Sequence, residues 1–109
     1  MIVEDEMLLA MSIIDEIEDH NGIVQQHVTT LEQGFSALDR ERPDACILNI
    51  RLGDEMVYPL ADKLLDLGVL FIFASSEPRK QIPERVARIP LHSKPIDMIR
   101  AAVGLIKAA

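Results

Sequence analysis

The sequence has a single cysteine, so the chain cannot form an internal disulfide bond or a cysteine-rich zinc site. Cys46 lies among Ala45, Ile47 and Leu48, which predicts a small buried side chain and a reducing compartment, the cytoplasm. The longest apolar run, residues 69–74, is too short to span a bilayer. We find no basic-then-apolar leader, and the glycines stand singly, so no glycine-rich phosphate-binding loop is expected.

Positive charge is also scarce. The chain has 11 lysine and arginine residues against 18 acidic ones, a formal net charge of −7 at pH 7. Because phosphate binding needs a basic face, this balance disfavours direct contact with nucleic acid and is compatible with cations or basic protein surfaces. The length of 109 residues, of which 49% are hydrophobic and 27% charged, predicts one soluble globular domain over residues 1–109.

Short apolar runs alternate along the chain with apolar residues at helical spacing. We predict strands at residues 1–3, 23–28, 45–48, 69–74 and 89–92. Helical stripes follow four of these runs, and they begin at Ala10, Leu31, Val57 and Ile96. Five strands alternating with helices predict an α/β fold, a doubly wound parallel sheet with helices on both faces.

Local signals place the ends of these elements. The pair Asn21-Gly22 ends the first helix, and Gly68 ends the third. Thr29 followed by Glu32 predicts a capping box at the start of the second helix. Residues 53–55 are expected to form a loop, and residues 75–87 carry two prolines and therefore no long helix.

Polar residues follow the predicted strands, at the edge of the sheet where ligands of such folds bind. Carboxylates follow the first strand, an amide and an arginine the third, serines the fourth, and a lysine the fifth. In chain order they are Glu4, Asp5, Glu6, Asn49, Arg51, Ser75, Ser76, Ser93, Lys94 and Pro95. This set suits Mg²⁺ with a phosphoryl group, because oxygen ligands hold the cation while a hydroxyl and an ammonium bind phosphate oxygens.

These residues make the chain resemble the receiver domain of bacterial two-component response regulators over nearly its whole length. Residues 2–6 resemble the family's first strand with its acidic pair, and residues 43–52 its third strand and following loop. In the family, the phosphoaccepting aspartate lies six residues after a proline. Six residues after Pro43, this chain has Asn49. Ser75 matches the serine or threonine that ends strand four, and Lys94-Pro95 matches the family's Lys-Pro pair.

A subgroup resembles the chain more closely in residues 71–76, 82–85 and 91–95. Its members end strand four with Phe-Ala-Thr-Gly-Tyr and are often associated with alphaproteobacterial stress signalling. The present chain departs from that signature at Ser75, Ser76 and Glu77.

The resemblance implies a flavodoxin-like sheet with strand order 2-1-3-4-5. It also implies Mg²⁺ held by Asp5, by Glu4 through water, by residue 49 and by the carbonyl of Arg51. Lys94 and Ser75 would bind phosphoryl oxygens. The switch position, three residues before the lysine, is Leu91, whose aliphatic side chain argues against tyrosine-type switching.

The same resemblance implies a set of partners. These are a histidine kinase or phosphotransfer protein, and then a downstream protein or a second copy of the chain. No membrane contact is expected.

Asn49 changes the chemistry that the resemblance implies. A carboxamide is neutral and its nitrogen lone pair is delocalised, so no acyl phosphate forms there. The loss of an anion predicts weak or absent Mg²⁺ binding, and it relieves repulsion with Glu4 and Asp5. An alternative is that Glu4, Asp5 and Glu6 only favour the N-terminus of the first helix, as acids do in general.

Three functional hypotheses follow. The chain is a receiver that is not phosphorylated at Asn49 and acts as a protein-interaction module rather than an enzyme. Alternatively, it is an ordinary phosphorylation-dependent receiver in which Asn49 is an engineered block. The third hypothesis, an α/β phosphatase-like or nucleotide-binding enzyme, is remote because the glycine-rich loop is lacking.

Overall fold

A parallel sheet forms the centre of the computed structural model, which describes residues 1–75, 82–89 and 91–93, with only the backbone for residues 75, 92 and 93. Over these residues the strands are β1 (Ile2–Val3), β2 (His27–Val28), β3 (Ala45–Asn49), β4 (Arg51–Leu52), β5 (Glu55–Met56), β6 (Leu70–Ser75) and β7 (Leu91–Ser93). The main sheet has the order β2-β1-β3-β6-β7. Its first four strands confirm the predicted parallel order, and β7 pairs beside β6.

Helices cover both faces of this sheet. Helix α1 (Met7–Asp19) lies on one face, and α2 (Leu31–Arg40) and α3 (Tyr58–Leu67) lie on the other. Successive strand residues point to opposite faces, so neighbouring side chains of one strand enter different cores. The α1 core contains Ile2, Leu9, Ile13, Ile17, Ile47, Ile72 and Ala74. The opposite core includes Val3, Leu38, Leu48, Leu60, Leu64 and Phe73. Each valine, leucine, isoleucine or phenylalanine side chain among them contributes roughly 1.5–3 kcal/mol on full burial.

Close packing of α2 against α3 depends on a glycine. Gly34 is buried in α2, and a Cβ atom there would lie 2.7 Å from Cδ2 of Leu60 in α3. Leu60 is itself fully buried, so its side chain has little room to move away. The glycine therefore sets how near the two helices lie.

Two predicted helix ends are confirmed by left-handed backbone. Gly68 ends α3 with φ of +70°, and Asn21, two residues after α1, has φ of +65°. Asparagine is one of the few residues that adopt this conformation at low cost. The predicted capping box was wrong by one residue. Thr30 is the N-cap of α2, and its hydroxyl accepts a hydrogen bond from the Gln33 backbone N–H at 3.1 Å.

The second strand is shorter than predicted, since only His27 and Val28 of residues 23–28 are in a strand. The register aligns His27 with Ile2, so residue 25 has no partner in β1. Ile23 is 85% exposed and contributes nothing to the core. The third strand is longer than predicted, because Asn49 still pairs with Ala74 of β6.

Residues 53–54 of the predicted loop form the turn of a β-hairpin, and Glu55 lies in β5. Strands β4 and β5 pair antiparallel, with Arg51 opposite Met56 and Leu52 opposite Glu55. Gly53, with φ of +61°, occupies the first central position of the two-residue turn. Glycine is favoured at this position in type II′ turns.

Beyond β6, the described residues 82–89 contain a short 3₁₀ turn, Glu84–Val86, while residues 76–81 of the segment predicted to lack a long helix lie outside the described residues. The predicted helix with apolar residues at 96, 99, 103 and 106 lies outside the described residues. Over the part of the chain that the structure describes, no helix is both long and apolar enough to cross a membrane.

Candidate functional site

The carboxyl ends of β1 and β3 bring an amide and two carboxylates together. The two strands pair in parallel, with Val3 opposite Leu48, so Glu4 and Asn49 follow side by side. Glu4 is 1% exposed and Asn49 is 8% exposed, and among the described residues they are the buried polar ones. Two polar side chains thus enter an interior that otherwise consists of apolar residues.

The side-chain nitrogen of Asn49 has three hydrogen-bond acceptors. Nδ2 donates to Oε2 of Glu4 at 3.0 Å, to Oδ1 of Asp5 at 3.0 Å, and to the carbonyl oxygen of Arg51 at 2.7 Å. The Arg51 carbonyl and the two ionised carboxylates can only accept hydrogen bonds at these atoms. The amide is therefore oriented with its nitrogen, not its oxygen, toward them. Because an amide nitrogen carries two hydrogens, the three acceptors share them.

Backbone N–H groups hold both carboxylates in place. Glu6 N–H donates to Oε2 of Glu4 at 3.1 Å, and Gly53 N–H donates to Oδ2 of Asp5 at 3.0 Å. Burial alone would raise the pKa of Asp5, but hydrogen bonds, first from the Gly53 backbone and then involving Glu4 and Asn49, hold that pKa below its usual value. Asp5 therefore stays ionised and links the β4–β5 turn to the end of β1.

His27 fixes the backbone of the site from the neighbouring strand. Its Nε2 lies 2.9 Å from the carbonyl oxygen of Glu4, and because a carbonyl only accepts, this nitrogen carries the hydrogen. Neither His27 nor Gly53 is among the residues that the sequence predicts for the site. A Gly-Asp pair between possible strands could have indicated the turn, whereas nothing in the sequence indicated the His27 contact.

The other predicted site residues are only partly described. The backbones of Ser75 and Ser93 pair at the adjacent ends of β6 and β7, while Ser76, Lys94 and Pro95 lie outside the described residues. Leu91 pairs with Phe73 and packs, partly buried, against the larger core. The predicted phosphoryl-binding roles of Ser75 and Lys94 stay predictions.

The helix-capping alternative accounts for only part of this arrangement. Glu6 is the N-cap residue of α1, yet its side chain makes no capping hydrogen bond. The carboxylate of Glu4 instead accepts from the Glu6 N–H and also contacts Asn49 across the strands. Glu4 therefore belongs to the inter-strand cluster as well as to the start of the helix.

The cluster does not offer the ligand set that the resemblance implies for Mg²⁺. Within the described ranges, no group of three or more histidine, cysteine, aspartate or glutamate side chains could hold a metal ion. The oxygens of Glu4, Asp5 and Arg51 converge on a nitrogen that donates hydrogen bonds and cannot coordinate a cation. Residue 49 also lacks the carboxylate on which a phosphoryl group could be carried.

Solved structures similar to this chain include response-regulator receiver domains. SdrG from Sphingomonas melonis Fr1 is 28% identical with a TM-score of 0.81, and the match covers 97% of this chain and 92% of that one. The response regulator PhyR from Brucella abortus is 26% identical with a TM-score of 0.75, over 95% of this chain and 45% of that one. A doubly substituted anti-anti-sigma factor PhyR from Bartonella quintana is 25% identical with a TM-score of 0.73, over 96% and 45%.

This chain thus spans just under half the length of the two PhyR chains. A scan against protein-family models found no match, and a search of curated proteins found none either.

Proposed function

We propose that this chain, which has the receiver-domain fold of two-component response regulators, is a protein-interaction module that is not phosphorylated at residue 49. The observation that carries this proposal is the buried Asn49 amide at the end of β3, bonded to both carboxylates that follow β1. The module has no catalytic residue in this proposal, and it signals by contact.

The chemistry of residue 49 supports the absence of phosphorylation there. A carboxylate attacks phosphorus through an anionic oxygen, whereas an amide oxygen is neutral and its nitrogen lone pair is delocalised. The Asn49 nitrogen is also engaged by three acceptors. Rotating it away to expose the oxygen would break these hydrogen bonds, each worth about 0.5–1.5 kcal/mol net.

A surface beside the site supports a protein partner. Helix α1 begins directly after the acidic residues and exposes Met7, Leu8 and Met11 by 53%, 80% and 54%. Exposed apolar side chains that lie together commonly mark protein contacts. The net charge of −7 complements a partner with a basic surface.

The partners we propose are those of receivers. They are a histidine kinase or phosphotransfer protein on the input side, and a downstream protein or a second copy of the chain on the output side. One similar structure is described as an anti-anti-sigma factor, a name that implies a protein partner for that chain.

Acetyl phosphate with Mg²⁺ tests phosphorylation at residue 49. Intact-mass spectrometry should show no phosphoryl adduct on the wild type and one acid-stable, base-labile adduct on Asn49→Asp. Asn21→Asp adds the same charge at an exposed turn and should stay unmodified. An adduct on the wild type would contradict the proposal, and an unreactive Asn49→Asp protein would show that the remaining site is not a receiver site.

Sedimentation velocity tests whether self-association of the chain depends on phosphorylation. The wild-type sedimentation coefficient should be the same with and without acetyl phosphate and Mg²⁺, since no phosphorylated state forms. If the natural coding sequence instead specifies aspartate at position 49, the Asn49→Asp protein is the signalling form and should respond to acetyl phosphate in the same assay.

A further inference from the structure

We infer that the Asn49 side-chain amide takes the place of the divalent cation in this site, so that the carboxylates of Glu4 and Asp5 are held together without a metal ion. Metal binding by Glu4 and Asp5 is chemically separate from phosphorylation at residue 49. Experiments can therefore refute the inference about metal binding without refuting the proposal about phosphorylation, and the reverse.

Three protein oxygens converge on one nitrogen atom. Oε2 of Glu4, Oδ1 of Asp5 and the carbonyl oxygen of Arg51 lie 3.0, 3.0 and 2.7 Å from Nδ2 of Asn49. Glu4, Asp5 and the Arg51 carbonyl are three of the four groups that the resemblance implies around Mg²⁺, and the fourth is residue 49 itself. The position toward which they point is filled by a side chain of the same protein.

The group that fills this position is a neutral amide. Amide hydrogens carry partial positive charge, so Nδ2 attracts carboxylates as a cation does, although more weakly. It donates rather than accepts, so it cannot serve as a ligand to Mg²⁺, which takes oxygens at about 2.0–2.1 Å. A cation could enter only if the amide turned to present its oxygen, and that rotation breaks all three hydrogen bonds.

The carboxylates of Glu4 and Asp5 are already arranged around the amide. Asp5 uses one oxygen for Asn49 and the other for the Gly53 N–H, while Oε2 of Glu4 accepts from both Asn49 and the Glu6 N–H. Removing the amide would leave these carboxylates facing each other without the donor between them. Their repulsion would then favour a cation.

Asn49→Ala tests this arrangement by removing the donor while adding no charge. We expect Mg²⁺ to raise the melting temperature of Asn49→Ala and to leave that of the wild type unchanged beyond the effect of KCl at equal ionic strength. Asn21→Gly is the matched control, because glycine tolerates the left-handed backbone at that position, and Mg²⁺ should leave its melting temperature unchanged as in the wild type. No rescue of Asn49→Ala by Mg²⁺ would overturn the inference.

Mn²⁺ binding, followed by the electron paramagnetic resonance signal of the free ion, tests the same point without relying on stability. We expect the wild type to leave the signal unchanged, and Asn49→Ala and Asn49→Asp to bind Mn²⁺ at least about tenfold more tightly, because no hydrogen bonds oppose the ion. If Asn49→Ala does not fold, Asn49→Asp decides the result.

Wild-type binding as tight as that of Asn49→Asp would overturn the inference, as would the failure of both variants to bind. A wild type that binds Mn²⁺ yet resists acetyl phosphate would refute the cation replacement alone. A wild type that excludes Mn²⁺ yet becomes phosphorylated would refute the proposed function alone.

Discussion

Nδ2 of Asn49 lies 3.0 Å from Oε2 of Glu4, and the contact joins the ends of two neighbouring strands inside the protein. Both residues are buried, at 8% and 1% exposure. The interaction is favourable because one partner donates and the other accepts. Replacing the donor by a second acceptor would turn this attraction into repulsion between buried groups.

Asn49→Asp should therefore destabilise the metal-free protein. We expect the free energy of unfolding to fall by about 1–3 kcal/mol, the usual result of leaving a buried polar group without its partner. Mg²⁺ should restore part of this loss in the variant and change the wild type little. Urea denaturation with EDTA and with Mg²⁺ measures both effects.

The control for this comparison is Asn21→Asp, which adds a charge at an exposed position with left-handed backbone that aspartate tolerates. Its unfolding should resemble that of the wild type. Equal midpoints for the wild type and Asn49→Asp, both with and without Mg²⁺, would rule out the repulsion.

The start of α2 offers a test between two adjacent threonines. The Thr30 hydroxyl accepts from the Gln33 N–H at 3.1 Å, so Thr30→Ala should cost about 1 kcal/mol of stability. Thr29 keeps its backbone hydrogen bond to Gln33 Oε1 when its side chain is removed, so Thr29→Ala should cost less. Thermal denaturation of the two variants measures the difference. A larger loss of stability in Thr29→Ala than in Thr30→Ala would show that Thr29, not Thr30, is the N-cap residue.

The thiol of Cys46 should be protected in the folded protein. Burial raises its pKa to about 11 from the usual 9.0, and the side chain is 1% exposed. We expect iodoacetamide at mildly alkaline pH to label the protein only after urea is added, because the thiolate is the reactive form. Mass spectrometry measures the label, and rapid labelling of the native protein would contradict this burial.

The raised pKa of Cys46 also makes the free energy of unfolding depend on pH in a definite direction. The unfolded thiol ionises near pH 9.0 and the folded one near pH 11, so the unfolded state loses its proton first as pH rises. The contribution of the thiol is fully present below pH 9.0 and is lost progressively toward pH 11. Cys46→Ala should show a flatter decline of unfolding free energy across this range.

Asp5 should show the opposite dependence. Its pKa lies below the usual 3.8 in the folded state, so its contribution is present above pH 3.8 and is lost as pH falls through the folded value. Carbon-detected NMR titration of its carboxyl group should give a midpoint below 3.8. A midpoint at or above that value would mean that the hydrogen bonds from Gly53 and Asn49 do not outweigh burial.

The sequence was sufficient to predict the sheet and the grouping of Glu4, Asp5 and Asn49. Apolar runs located the strands, and parallel strands bring their carboxyl ends to one edge, so residues that follow neighbouring strands must meet. Gly68 marked a helix end correctly because few residues other than glycine adopt left-handed backbone at low cost.

The contacts that complete the site depend on relationships that no local pattern contains. The Gly53 donor is a backbone N–H, which nearly every residue has, and its direction follows from the pairing of Arg51 with Met56. The His27 contact follows from the register between β1 and β2. Thr29 and Thr30 both suit a cap, and only the backbone angles select between them.

A buried primary amide with its hydrogens engaged is also a spectroscopic label that the chain carries without modification. The sequence has only two asparagines and four glutamines, so its side-chain NH₂ signals form a short, assignable set. The Asn49 pair should stand apart from them through its chemical shift and its slow exchange with solvent. Any event that moves the end of β1 relative to β3 would be recorded at that one resonance, including the docking of a partner whose identity is not known in advance.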